Sequence, residues 1–156
     1  LVTELLWQPM GAEYDAYITV DRLGAPRCAG GFCATTRDLA RLGQLFVDGG
    51  RQAGRQVVPA AWIDDILTGG DRAAWDAGDL MDYFPSLPIR YRSKWYVLEG
   101  KAPVVFGLGV HGQNVFVDAA NEIVVAKFSS QVVALDAERI AATEAAVEAV
   151  RDRLVD

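Results

Sequence analysis

The sequence predicts an α+β fold, and three observations carry that expectation. Helical patterns dominate the first half of the chain. Runs rich in β-branched and aromatic residues fill positions 91–129, and one long helical pattern closes the sequence. Helices first, then strands joined by short loops, imply an antiparallel sheet flanked by helices. The 156 residues fit one domain, mostly helix and loop over 1–90 and strands plus a terminal helix over 91–156. With 51% hydrophobic and 23% charged residues, the composition is that of a packed globular protein.

Leu1-Val2-Thr3-Glu4-Leu5-Leu6-Trp7 is apolar at helical spacing from its first residue, with Thr3 as its only, weak, cap. It reads as the last turns of a helix whose start is missing, as in a fragment, a processed chain or an incomplete gene product. Pro9 and Gly11 stop it. Tyr14 to Val20 reads as a strand or extended loop anchored by Tyr17 and Val20, and Gly24 to Gly31 as a turn-rich connection.

The clearest helix opens at Thr35-Thr36-Arg37-Asp38, where a threonine caps and Asp38 suits the dipole. Leu39, Leu42 and Phe46 form its stripe, and Gly49-Gly50 ends it. A second helix is expected from Pro59 to Leu67, burying Trp62, Ile63, Ile66 and Leu67. Residues 70–90 are irregular, broken by Gly78, Pro85, Ser86 and Pro88. They read as a long surface excursion, either a cover for the core or a lid over a site.

Strands are expected at Tyr91–Leu98, Val104–Val110, Asn114–Asp118 and Glu122–Ser129. Ala119-Ala120-Asn121 makes a hairpin loop, with Asn121 suited to positive φ. Val115 and Val117 face one way and Phe116 the other, so the sheet should be covered on both sides. Three or four strands would leave an open edge suited to self-association. Asp136 caps the last helix, whose stripe is Ile140, Val147, Val150 and Leu154.

The net charge of -6 argues against nucleic acid as partner. Arg90, Arg92 and Lys94 read as solvated charges on a strand. No apolar run approaches the roughly 20 residues of a membrane span, and no signal peptide is apparent, which favours the cytoplasm. Cys28 and Cys33 read as buried free thiols. With one histidine they make no metal site, and no cofactor is expected.

The most informative segment is Gly107-Leu108-Gly109-Val110-His111-Gly112-Gln113, which leads into the apolar run Asn114-Val115-Phe116-Val117-Asp118. Its Gly-x-Gly-x-x-Gly spacing is no dinucleotide fingerprint, because a strand and not a helix follows. His111 is open to two readings, general base or structural residue. The glycine-flanked strand end has two as well: backbone N–H groups aimed at an oxyanion, or a tight connection that needs small residues. Gly-x-Ser-x-Gly, Ser-x-x-Lys, Ser-Asp-Asn and Lys-Thr-Gly are all absent.

Several segments, in order, resemble the serine β-lactamase-related superfamily, and within it the 6-aminohexanoate-dimer hydrolase branch. They are Trp7-Gln8-Pro9-Met10-Gly11-Ala12, Gly30-Gly31-Phe32 leading into Thr36-Arg37-Asp38-Leu39-Ala40-Arg41, Val58-Pro59 with Trp62, Tyr91-Arg92-Ser93 with Trp95, and Gly109-Val110-His111-Gly112-Gln113 with Lys127-Phe128-Ser129-Ser130. The resemblance implies a β-lactamase/transpeptidase-like fold and acyl transfer through a serine activated by lysine and tyrosine. It implies that this chain is the C-terminal portion of a larger hydrolase domain, its nucleophile upstream of Trp7-Gln8-Pro9. The Val110 N–H would then be an oxyanion donor, and Gly109, His111, Gly112, Gln113, Gly31 and Phe32 would border a small amide or ester substrate. The strand carries no lysine where relatives have Lys-Thr-Gly. A non-catalytic binding or scaffold domain of the same fold is the alternative.

Overall fold

The computed structural model describes residues 1–28, 30–85 and 87–155. Its centre is a five-stranded antiparallel sheet in simple meander order. The strands are β5 (Ile89–Arg92), β6 (Trp95–Leu98), β7 (Val104–Gly109), β8 (Gln113–Asp118) and β9 (Ile123–Lys127). Before them come two short hairpins, β1 (Tyr17–Ile18) with β2 (Phe32–Cys33) and β3 (Arg51–Gln52) with β4 (Arg55–Gln56). The helices are α1 (Thr36–Val47), α2 (Ala60–Thr68), α3 (Arg72–Asp76) and α4 (Ala137–Val155). No helix among the described residues is long and apolar enough to cross a membrane.

Side chains alternate across a strand, so each strand feeds two cores. Val97, Val105, Val115 and Val117 pack with Phe46 of α1 and with Ile63 and Ile66 of α2. Tyr96, Phe106 and Phe116 point the other way, toward Trp75, Phe84 and Ile140 and Val147 of α4. The register places Tyr96 opposite Phe106 and Phe106 opposite Phe116. Their rings stack across three strands at 5.0 and 5.4 Å, the cross-strand aromatic pairing that stabilises a sheet face.

Thr35 caps α1 as expected, accepting from the Asp38 N–H. Asp38 itself is fully buried. Burial pushes its carboxyl up, but the Glu13 N–H, the Thr35 hydroxyl, the Tyr14 N–H and Arg41 outweigh that and hold it below the usual range. Asp38 thereby clamps residues 13–14 to α1. Gly43 lets α1 close on the sheet: a Cβ there would stand 2.6 Å from Val124 Cγ1.

The structure corrects several expectations. Thr3 does not cap; it lies inside a π-helical turn, Thr3–Trp7, and its carbonyl accepts from Gln8. Tyr17 and Val20 are exposed rather than anchoring. Trp62 is also exposed, on the rim of α2. The single strand expected at 91–98 is two strands, joined by Ser93 and Lys94 at φ 50° and 72°. The sheet therefore has five strands, not three or four. In the loop after β8 it is Glu122, at φ 57°, that takes the left-handed conformation. Asn121 instead donates to Asp118 from its main-chain and side-chain nitrogens.

Trp75 and Phe84, within the irregular stretch, are buried core residues; Ser86 lies outside the described residues. Arg90 is not solvated: it pairs with Glu99 at 2.6 Å and donates to the carbonyls of Leu67 and Gly69. Arg92 makes a two-pronged pair with Asp65. Cys28 is exposed and Cys33 half-buried, both free. Of the α4 stripe only Ile140 and Val147 are buried, while Val150 and Leu154 face out.

Candidate functional site

β7 ends at Gly109 and β8 begins at Gln113, so Val110, His111 and Gly112 form the corner between paired strands. His111 sits at φ 59°, ψ 22° and Gly112 at φ 83°. Two successive left-handed residues reverse the chain within a few ångströms, a conformation disfavoured for a residue with a Cβ. Surrounding bonds over-determine it.

Those bonds come from residues 127–134, which strap the corner from outside. The His111 N–H donates to the Ala134 carbonyl at 2.8 Å, and the Gln131 N–H donates to the His111 carbonyl at 3.2 Å. Imidazole Nδ1 lies 2.8 Å from the Gln131 carbonyl oxygen. A carbonyl only accepts, so Nδ1 carries the proton and donates. Lys127 Nζ donates to the Gly112 carbonyl at 3.0 Å.

The Gln113 amide is engaged at both ends. Its Nε2 donates to the Ser129 carbonyl at 2.5 Å and to the His111 carbonyl at 3.3 Å, and its Oε1 accepts from the Ser129 N–H at 3.0 Å. The glycines suit the corner: Gly112 takes φ 83°, a conformation that favours glycine, and a Cβ at Gly109 would stand 2.9 Å from Gln113 Cβ. The Val110 side chain is exposed.

Beneath the corner lies a crevice of about 10 Å³, room for one water molecule and too small for a substrate. Leu108, Gly109, Gly112 and Asn114 line it from the sheet, and Arg139 and Glu144 from α4. Burial pushes the Glu144 carboxyl up to about 7. The corner thus presents the exposed Val110 and His111 side chains to the outside, held in place by residues 127–134.

Gly31 and Phe32 stand apart from it, on the β1–β2 hairpin. A Cβ at Gly31 would lie 2.1 Å from Thr19 Oγ1, and Phe32 meets Trp7 edge-on with ring centroids 5.1 Å apart. Among the described residues no hydrogen bond or ring contact joins this pair to the corner. Gln131 and Ala134, which fix His111, carried no sequence signal because they act through main-chain groups. Ser129 and Lys127 lie at the end of the strand expected over Glu122–Ser129 and in one of the segments that carry the resemblance.

No family model matches the chain. It is 38% identical over 125 residues to the 6-aminohexanoate-dimer hydrolase of Paenarthrobacter ureafaciens, a match that covers 80% of this chain and 31% of that protein. The chain is a relative of the 6-aminohexanoate-dimer hydrolases. A solved structure named "Putative 6-aminohexanoate-dimer hydrolase from Bacillus anthracis" superposes with a TM-score of 0.78 at 26% identity, over 94% of this chain and 36% of that one. The chain therefore spans about a third of the length of each of these hydrolases.

Proposed function

We propose that this chain is the C-terminal part, as one unit over 1–156, of a serine hydrolase with a β-lactamase/transpeptidase-like fold. It acts on small amides or esters through an acyl-enzyme whose serine lies outside these residues. The Val110 N–H is one oxyanion donor, and the N–H of the nucleophile is the other. The observation that carries this reading is the strapped corner. The His111 N–H is consumed by Ala134, and the reading gives the donor role to Val110, the next residue after β7. The bonds to residues 127–134 hold it without reorganisation during reaction. The kinship with named hydrolases supports the same reading.

The test begins with the coding sequence upstream: a Ser-x-x-Lys within a couple of hundred residues is expected. The longer product should give a burst of nitrophenol from a nitrophenyl ester, abolished by a serine-directed phosphonate. The 156-residue chain should give none. Val110→Pro, which removes the N–H, should lower kcat by roughly 100-fold or more. A burst from the chain by itself would show that the nucleophile is within it. A longer product without hydrolysis would favour the binding or scaffold domain.

A further inference from the structure

The end of the sheet that carries the corner also carries the turn between β5 and β6. β6 pairs with β7 only from Leu98 opposite Val104 to Tyr96 opposite Phe106. Beyond Phe106, among the described residues, no strand pairs with β7 on that side, so Gly107, Leu108 and Gly109 lead to Val110 along an open edge. Trp95 stands beside Gly107, its indole 3.8 Å from where a Cβ on Gly107 would be. Continuing the register sets Lys94 level with Leu108, two residues before Val110.

Ser93 and Lys94 are the two central residues of that turn, at φ 50° and 72°. Such turns favour Asn-Gly, so the turn does not account for these two side chains. Left-handed residues with a Cβ persist at sites where function uses them. Both side chains are exposed, and among the described residues neither Ser93 Oγ nor Lys94 Nζ has a hydrogen-bond or ion-pair partner. The neighbouring cations are already engaged. Arg92 is paired with Asp65, and Lys127, at the corner itself, donates to the Gly112 carbonyl. Lys94 is thus a free cation on the rim of the open edge that ends at Val110.

We infer that Lys94, assisted by the Ser93 hydroxyl, binds a carboxylate on the substrate, so that the amides or esters cleaved are ones that carry a carboxylate a few carbons from the scissile bond. The inference rests on the hydrolase reading above. An ammonium is a compact point charge with three donors on a flexible stem, and its bonds to a carboxylate are charge-assisted. The strand spacings put Val110 roughly 7 Å along β7 from the level of Lys94 and about 5 Å across from it. That span matches a short carbon chain between a carbonyl held at Val110 and a carboxylate held at Lys94.

Matched esters test this in the longer product. Nitrophenyl hemiglutarate and nitrophenyl pentanoate differ at the end of the acyl chain, carboxylate against methyl. A carboxynitrophenyl pentanoate carries the carboxylate on the leaving group instead. The ratio of kcat/KM for a carboxylate-bearing ester to that for nitrophenyl pentanoate should fall about tenfold in Lys94→Asn, through KM, and should shrink as salt is added. Which ester responds tells on which side of the bond the carboxylate sits. Asparagine suits the left-handed turn, so the thermal midpoint of the 156-residue chain should not drop, and Lys94→Arg should retain most of the preference. Ratios that Lys94→Asn leaves unchanged for both carboxylate-bearing esters overturn the inference. Calorimetry with glutarate reads the same subsite without hydrolysis: glutarate should bind the longer product and bind Lys94→Asn about tenfold more weakly. Glutarate binding that depends on Lys94, in a product that hydrolyses no ester, refutes the hydrolase reading alone. Hydrolysis with glutarate binding that does not depend on Lys94 refutes the carboxylate subsite alone.

Discussion

The two faces of the sheet are built from different side chains. On the α1–α2 face the valines of four strands meet Phe46, Ile63 and Ile66, and Gly43 brings α1 close against the sheet. On the α4 face a ladder of aromatic rings carries the core. There the helix is pinned at two points, with a water-sized crevice and an open groove beneath it. The indole N–H of Trp75, on the same face, is buried without a partner among the described residues. Both sides leave open space, about 370 Å³ between Leu5, Leu42, Phe46 and Trp62 and about 400 Å³ under α4, so the difference lies in how each core is built: branched aliphatic chains against a helix brought close by a glycine, and aromatic rings under a helix pinned at two points.

Paired truncations should break or sharpen that contrast most strongly. Ile66→Ala, at a fully buried position, should cost about 4 kcal/mol, while Ile140→Ala beside the crevice should cost about 2 kcal/mol. Urea unfolding followed by circular dichroism measures both, and equal costs would erase the distinction. Insertions come next. Gly43→Leu should destabilise by about 2–3 kcal/mol through overpacking against Val124, Val117 and Val115. Ala142→Leu, over the groove, should change stability by less than about 0.5 kcal/mol.

A further effect is electrostatic. Glu144 titrates near 7 in the fold against 4.5 as its ordinary value. Between those values the folded state binds more protons than the unfolded one, so stability falls as pH rises from about 4.5 to about 7. Below that window the group costs nothing, and above it the full penalty applies. Because the group is partly exposed, the penalty is about 1 kcal/mol. Glu144→Gln should flatten this part of the pH–stability profile, as thermal melts at a series of pH values would show.

The α1–α2 face was legible in the sequence because periodicity reports it directly. Val115 and Val117 against Phe116, and the stripe ending in Phe46, place α1 and the strands without further information. Turn chemistry hid more. Ser93-Lys94 makes a hairpin turn with two positive φ values but has no Asn-Gly or Asp-Gly signature, so two strands read as one. Trp75 and Phe84 sit in a stretch without period, and their burial follows from tertiary packing alone. At the site, the glycines and the chain reversal were readable. The strap was not, because Gln131 and Ala134 hold His111 through main-chain atoms that any residue would supply.

His111 is the chain's only histidine, and its imidazole is bonded to the strap that shapes the corner. One imidazole means one set of ring resonances, already assigned by composition. Nitrogen chemical shifts of that ring distinguish a protonated Nδ1 from a free one. The protein thus carries a native spectroscopic reporter at the place where its chemistry is proposed, readable without a label or a mutation.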